Sequence, residues 1–127
     1  MLSACLGEPQ WKTDWNENRS RDLVADGVYA LWGGSPTNVI KLFDEATQYD
    51  PNNSSAYEWR GDAYKELGQH QRAIQELNKA IQLDPRSGFA YSLRGYVYKD
   101  LGQIGRYDAD MAKSCELRYD AACWGRP

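Results

Sequence analysis

The stretch AYEWRGDAYKELGQHQRAIQELNKAIQLDP, residues 56–85, returns from Ala90 onward as AYSLRGYVYKDLGQIGRYDADMAKSCEL, a shift of 34 positions. Laying 54–87 over 88–121 gives twelve identities, among them Tyr57 with Tyr91, Arg60 with Arg94, Gly61 with Gly95, Tyr64 with Tyr98 and Gly68 with Gly102. Ordinary composition would give roughly two or three. The same step backwards from Gly61, Gly68, Ala80 and Asp84-Pro85 lands on Gly27, Gly34, Ala46 and Asp50-Pro51. The chain therefore divides into units 20–53, 54–87 and 88–121, with 1–19 expected as an N-terminal tether and 122–127 as a C-terminal tail. A unit this short cannot bury its apolar face alone, so neighbours must stack.

Within the middle unit Tyr57, Arg60, Gly61 and Tyr64 fall on one helical face, and Ala73, Leu77, Ala80 and Ile81 on one face of a second segment. Two amphipathic helices joined at Gly68-Gln69 follow from that pattern. Gly34, Gly68 and Gly102 suit the left-handed cap that ends each first helix, and Pro51 and Pro85 stop the second. Ser35-Pro36 reads as an N-cap followed by proline at the first helical position. Gly61 and Ala80 are small enough for the paired helices to approach closely. The spacing of Tyr57, Arg60-Gly61, Tyr64, Ala73, Leu77 and Pro85 resembles the tetratricopeptide repeat. The resemblance implies an all-α fold, a right-handed α-solenoid of three helix-turn-helix repeats. It weakens outward: Ala30 replaces the tyrosine of the first unit, and Tyr107, Met111, Ser114 and Tyr119 replace Ala73, Leu77, Ala80 and Pro85 in the third.

Fifteen basic side chains stand against eighteen acidic ones, so no excess of positive charge exists to neutralise phosphates, and nucleic acid is not an expected partner. No phosphate-binding glycine loop, zinc-protease helix motif or nucleophile elbow occurs, and the chain has a single histidine. Neither an enzyme nor a cofactor is expected. Metal is not expected either, since a zinc site takes about four ligands and His70 lies in a different repeat from Cys115 and Cys123.

Cys115 and Cys123 lie at the end of the last repeat helix and just past a short turn. They are expected to form a disulfide worth ~2–3 kcal/mol in the chain-entropy picture; two unrelated small apolar side chains are the alternative. Their spacing is similar to that of secreted bacterial Sel1-like repeat proteins, in which such pairs are bonded. Leu2-Ser3-Ala4-Cys5 resembles the bacterial lipobox, which implies lipidation of Cys5. The basic and apolar stretches that precede such a box do not stand before it, and coincidence is the alternative. The resemblance implies a periplasmic or outer-membrane lipoprotein, held to the membrane by its lipid alone; the other reading is a cytoplasmic protein with reduced thiols.

In a stacked array of helix pairs the first helices line a concave side. Their outward positions are Val24, Val28 and Trp32 in the first unit, Glu58, Asp62 and Lys65 in the second, and Phe89, Tyr96 and Lys99 in the third. A groove with an acidic middle between apolar or aromatic ends is expected, suited to a protein or peptide segment with apolar anchors and a basic residue between them. Repeats of this type that grip a C-terminal carboxylate carry lysine and asparagine where Glu58 and Asp62 stand, so the resemblance does not extend to that clamp. The function expected is a scaffold that helps assemble a larger complex. A self-associating structural subunit, using Trp32, Trp124 and the Tyr107/Met111 face in a homo-oligomer, and a cytosolic adaptor are the alternatives.

Overall fold

A computed structural model of the chain describes residues 7–119 and residue 123. Its helices are α1 (Gln10–Trp32), α2 (Pro36–Tyr49), α3 (Ser54–Glu66), α4 (His70–Leu83), α5 (Gly88–Asp100) and α6 (Ile104–Glu116), and among the described residues there is no strand. Each odd helix pairs with the next even one. Successive pairs then stack, α2 on α3 and α4 on α5, while α1, α3 and α5 run alongside one another.

The pairing rests on a small residue facing a large one. A Cβ placed on Gly27 would lie 2.5 Å from Cε1 of Phe43, and one on Gly61 would lie 2.8 Å from Cγ of Leu77. Both distances are shorter than carbon atoms tolerate, so only glycine lets α1 meet α2, and α3 meet α4, this closely. Phe43 and Leu77 are fully buried as a result, with Val39, Ala46, Ala73 and Ala80 around them. At the end of α3 the backbone turns through Gly68 at φ +74°, and the Gln69 N–H donates back to the Tyr64 carbonyl at 2.9 Å. Gly102 repeats this after α5, with Gln103 donating to Tyr98 at 2.8 Å. These are Schellman caps, which satisfy carbonyls that a helix end leaves open.

Two local expectations change. Ser35 does precede Pro36 at the head of α2, but its hydroxyl accepts from the Asn38 side chain at 3.2 Å and caps no backbone N–H. The segment expected as a tether is helical from Gln10, because Trp15 finds a partner: its ring meets Tyr49 of α2 edge-on, centroids 5.4 Å apart. That contact extends α1 ten residues ahead of the first repeat. At the other end Arg118 adopts φ +63° and Tyr119 N–H returns to the Ser114 carbonyl at 3.1 Å, so α6 closes with the same cap without a glycine. Beyond it the sulfurs of Cys115 and Cys123 are bonded, with Cα atoms 5.1 Å apart. Cys5 and Trp124 lie outside the described residues.

An arginine crosses each inter-repeat boundary. Arg60 donates through Nε to Glu76 of its own pair at 2.7 Å and through Nη1 to Asp44 of the preceding pair at 2.8 Å. Arg94 makes the equivalent set, bidentate to Asp110 at 2.9 and 2.8 Å and to Asn78 of the preceding pair at 2.9 Å. Tyr57 and Tyr91 lie under the two guanidinium groups at 5.2 and 5.3 Å. Planar, forked and permanently charged, arginine can tie two helices of its own repeat to a third.

Candidate functional site

The helices α1, α3 and α5 place the nine residues expected to line the groove in three different environments. Val24 is buried with Leu23 and Phe43 in the core of the first repeat, and Val28 packs half-buried against the same cluster. Glu58 is also interior, only 6% exposed, so it and Val24 do not line the groove. The reason is that the first helices touch one another. A side chain at this height on α3 meets the start of α5, where the Ser87 hydroxyl donates to the Glu58 carboxylate while accepting the Ala90 N–H at 3.2 Å.

Burial raises the pKa of Glu58 above 4.5, the nearby Asp84 charge adds to the rise, and the Ser87 hydrogen bond works against it. A carboxylate whose folded pKa is raised costs stability as pH climbs from its unfolded value through its folded one, and the full cost persists above both. Glu58→Gln, which keeps an acceptor for Ser87, is therefore expected to match the parent protein near pH 4 and to melt a few degrees higher at pH 7. Thermal melts across pH 4–8 measure this. A variant that melts lower at neutral pH would mean that the ionised carboxylate at the head of α5 stabilises the array.

The remaining residues fall into two groups. At the far end Tyr96 and Lys99 both lean onto Tyr107 of α6, the rings 6.0 Å apart and Nζ 5.3 Å over the ring, while Phe89 packs on Trp59 and Tyr119 at 5.1 and 5.7 Å. At the near end Trp32 and Asp62 share a cleft of about 330 Å³ with Leu31, Gly34, Pro36, Trp59 and Glu66. Lys65 stands at the edge of this group, 4.0 Å from Asp62 and 3.3 Å from Glu66. Burial raises the pKa of Asp62, which Lys65 lowers and Glu66 raises.

Trp59 is the wall that sequence reasoning did not supply. Its position corresponds to Leu93 in the next unit, a residue that packs into the boundary between repeats. An indole at the same place is too large for that boundary and reaches the cleft as well. Its size against Leu93 was the available signal. Among the described residues no three His, Cys, Asp or Glu side chains gather as metal ligands, and no helix is long and apolar enough to cross a membrane.

Stacked antiparallel helix pairs with a groove along their first helices define an α-solenoid repeat protein. A family model described as TPR repeat matches residues 61–102, and one described as tetratricopeptide repeat matches residues 42–75. Residues 42–102 are thus tetratricopeptide repeats, and the helix pairs on either side continue the same fold. Among solved structures it is similar to the TPR domain of Arabidopsis OM64, with TM-score 0.79 and 25% identity over 85% of this chain and 91% of that one. It is similar also to the Sgt2 TPR domain from Aspergillus fumigatus, with TM-score 0.77 and 25% identity over 82% and 72%. A third similar structure is the second TPR of Spaghetti (RPAP3) bound to HSP90 peptide SRMEEVD, with TM-score 0.76 and 20% identity over 81% and 95%. No curated protein matches the chain.

Proposed function

We propose that this protein is a protein–protein interaction scaffold whose groove takes a peptide segment with apolar or aromatic anchors and one basic residue. The observation that carries the reading is the cleft: indole and aliphatic walls from Trp32, Trp59, Leu31 and Pro36 stand beside the carboxylates of Asp62 and Glu66. A hydrophobic pocket with a few fixed charges is what selects one side chain among many. The peptide held by the RPAP3 domain supports a peptide as ligand, but its sequence SRMEEVD is acidic towards its end. Here Asp62 and Glu66 would repel such a tail, so the segment taken is basic.

The test is peptide capture by fluorescence anisotropy with and without Asp62→Lys/Glu66→Lys. Glu58 is left alone, because reversing an interior charge would disturb the fold itself. Loss of binding to basic anchored peptides is expected; capture unchanged by the double reversal would sink the groove reading.

We propose further that the scaffold is lipid-anchored through Cys5 in a bacterial envelope, helping to assemble a larger complex there. The support is the lipobox-like Leu2-Ser3-Ala4-Cys5 together with the bonded Cys115 and Cys123, since disulfides persist in oxidising compartments. The intact mass of the protein from its native cells, with and without reductant, is expected to show a lipid-sized gain at Cys5 and a gain of two protons at Cys115 and Cys123 on reduction. An unmodified chain with free thiols would place it in the cytosol.

A further inference from the structure

The third repeat ends differently from the other two. After α2 and α4 the chain leaves through Asp50 and Asp84 at φ −139° and −136°, each followed by proline. The matching residue after α6, Arg118, takes φ +63°, a left-handed conformation that crowds any residue with a Cβ. Among the described residues no other residue but glycine does so. The turn brings Tyr119, which stands where the other repeats have proline, over the head of α5. A Cβ placed on Gly88 would lie 2.6 Å from Cβ of Tyr119, so glycine is what leaves room beneath it. Ser114 joins the two ends, its hydroxyl donating to the Gly88 carbonyl at 2.7 Å and its carbonyl accepting the Tyr119 N–H at 3.1 Å. Tyr119 also lies midway between Cys115 and Cys123, four residues from each, so the disulfide closes around it. A strained turn persists where its surroundings hold it, and here the covalent bond does so.

From Tyr119 a row of rings leads to the cleft. Tyr119 meets Phe89 with centroids 5.7 Å apart, Phe89 meets Trp59 at 5.1 Å, and the Trp59 indole is a wall of the cleft beside Asp62 and Glu66. All three rings are half-buried, so each has room to turn once its neighbour is withdrawn. We infer, resting on the peptide-binding reading of the cleft, that the Cys115–Cys123 disulfide makes the cleft fit for capture: by fixing Tyr119 on Phe89 it holds Trp59 in place. Tyr119 is a positioning residue, since it does not line the cleft itself. Reduction undoes the arrangement. A thiolate of a dithiol attacks one sulfur, the dithiol's second thiol resolves the mixed disulfide, and two electrons and two protons pass to the cysteines. The left-handed turn at Arg118 is then left with two backbone hydrogen bonds, Arg118 to Cys115 at 2.9 Å and Tyr119 to Ser114, against its strain. An indole no longer braced must be ordered by the peptide itself, which lowers affinity. The capturing form is therefore the one that an oxidising compartment maintains.

Fluorescence anisotropy of a labelled peptide carrying one lysine between a leucine and a tryptophan, with the full chain oxidised or treated with dithiothreitol, tests the coupling. Reduction should weaken capture about twofold to tenfold, the worth of one aromatic pair. Cys115→Ser/Cys123→Ser should match the reduced protein under both conditions. Tyr119→Phe, which keeps the ring, should behave as the parent. Tyr119→Ala should bind as weakly as the reduced protein and no longer respond to dithiothreitol, a loss of response that a disulfide acting only on overall stability would not produce. Fluorotryptophan labelling reads the same coupling without peptide. The fluorine resonance of Trp59, assigned by its absence in Trp59→Phe, should shift on reduction in the parent and stay in place in Tyr119→Ala. Capture unchanged or tightened by reduction, or a Tyr119→Ala protein that still responds in full, would overturn the inference. A peptide held by neither form would end the peptide reading, while the Trp59 resonance still decides the disulfide's hold on the indole: movement on reduction supports it, and none overturns it.

Discussion

Replacing Arg94 by alanine should lower stability by about 3–5 kcal/mol, the usual cost of removing one partner from a buried ion pair. The reason lies in what the arginine leaves behind. Asp110 is 5% exposed and receives both of its strong hydrogen bonds from Arg94, so the truncation strands a carboxylate that water barely reaches. The guanidinium also rests over Tyr91 and Tyr98 at 5.3 and 5.9 Å and holds Asn78 of the preceding repeat. Arg60→Ala should cost less, about 2–3 kcal/mol. Its acceptors Glu76 and Asp44 are more open, at 20% and 49% side-chain exposure, and regain water. Melting temperature and denaturant midpoint measure both, with a fall of roughly 10 °C or more expected for Arg94→Ala. Adding Asp110→Asn separates the causes. If the stranded charge dominates, R94A/D110N recovers much of the loss; if it does not, the lost stem and ring contacts carry the effect. A single Arg94→Ala variant within about 1 kcal/mol of the parent would remove the arginine bridges from the account of how the repeats hold together.

Those bridges show where sequence reading stops. Helix pairs, their turns and the order of the units were legible because each is a local signal: a 34-residue period, glycine at the left-handed cap, proline after the second helix. The face of Arg60 and Arg94 was legible too, since helical spacing places them toward their own second helix. Their reach to Asp44 and Asn78 was not, because a bond across repeats depends on the stacking angle, which no spacing within one unit encodes. The same limit explains Val24 and Glu58. Helical periodicity marks both as facing away from their partner helices, yet neighbouring first helices close over them. Trp15 reverses the case: a polar surrounding of Asp14, Asn16 and Glu17 reads as tether, and one ring contact with Tyr49 is enough to carry the helix through it. What sequence pattern misses here is contact set by how one helix lies against another, which the spacing along a single helix does not encode.

For the groove, the expected result is that Asp62→Lys/Glu66→Lys weakens capture of a basic, aromatic-anchored peptide by tenfold to hundredfold, order-of-magnitude values for reversing charges at a partly desolvated contact. Three side chains set the charge of the cleft: Asp62 and Glu66 against Lys65, whose Nζ lies within 4.0 Å of both. Their sum is one negative charge, already partly engaged. Lys65→Gln is thus expected to strengthen binding of the same peptide, a gain that a purely hydrophobic groove would not produce. Acidity acts in the opposite direction. Burial holds the Asp62 pKa above its ordinary value, so the ionised form that attracts a cation is lost sooner on acidification than for a surface aspartate. Affinity should therefore fall as pH drops through that raised pKa, and fall less in Asp62→Asn, which has nothing to protonate. Raising salt should slow association more than it speeds dissociation. Trp59→Ala separates the two halves of the cleft: it removes a wall and leaves the charges, so it should weaken capture without changing the order of preference between basic and acidic peptides. If that order changes with Trp59 and not with Asp62 and Glu66, the selectivity lies in the shape of the cleft and the charged reading fails.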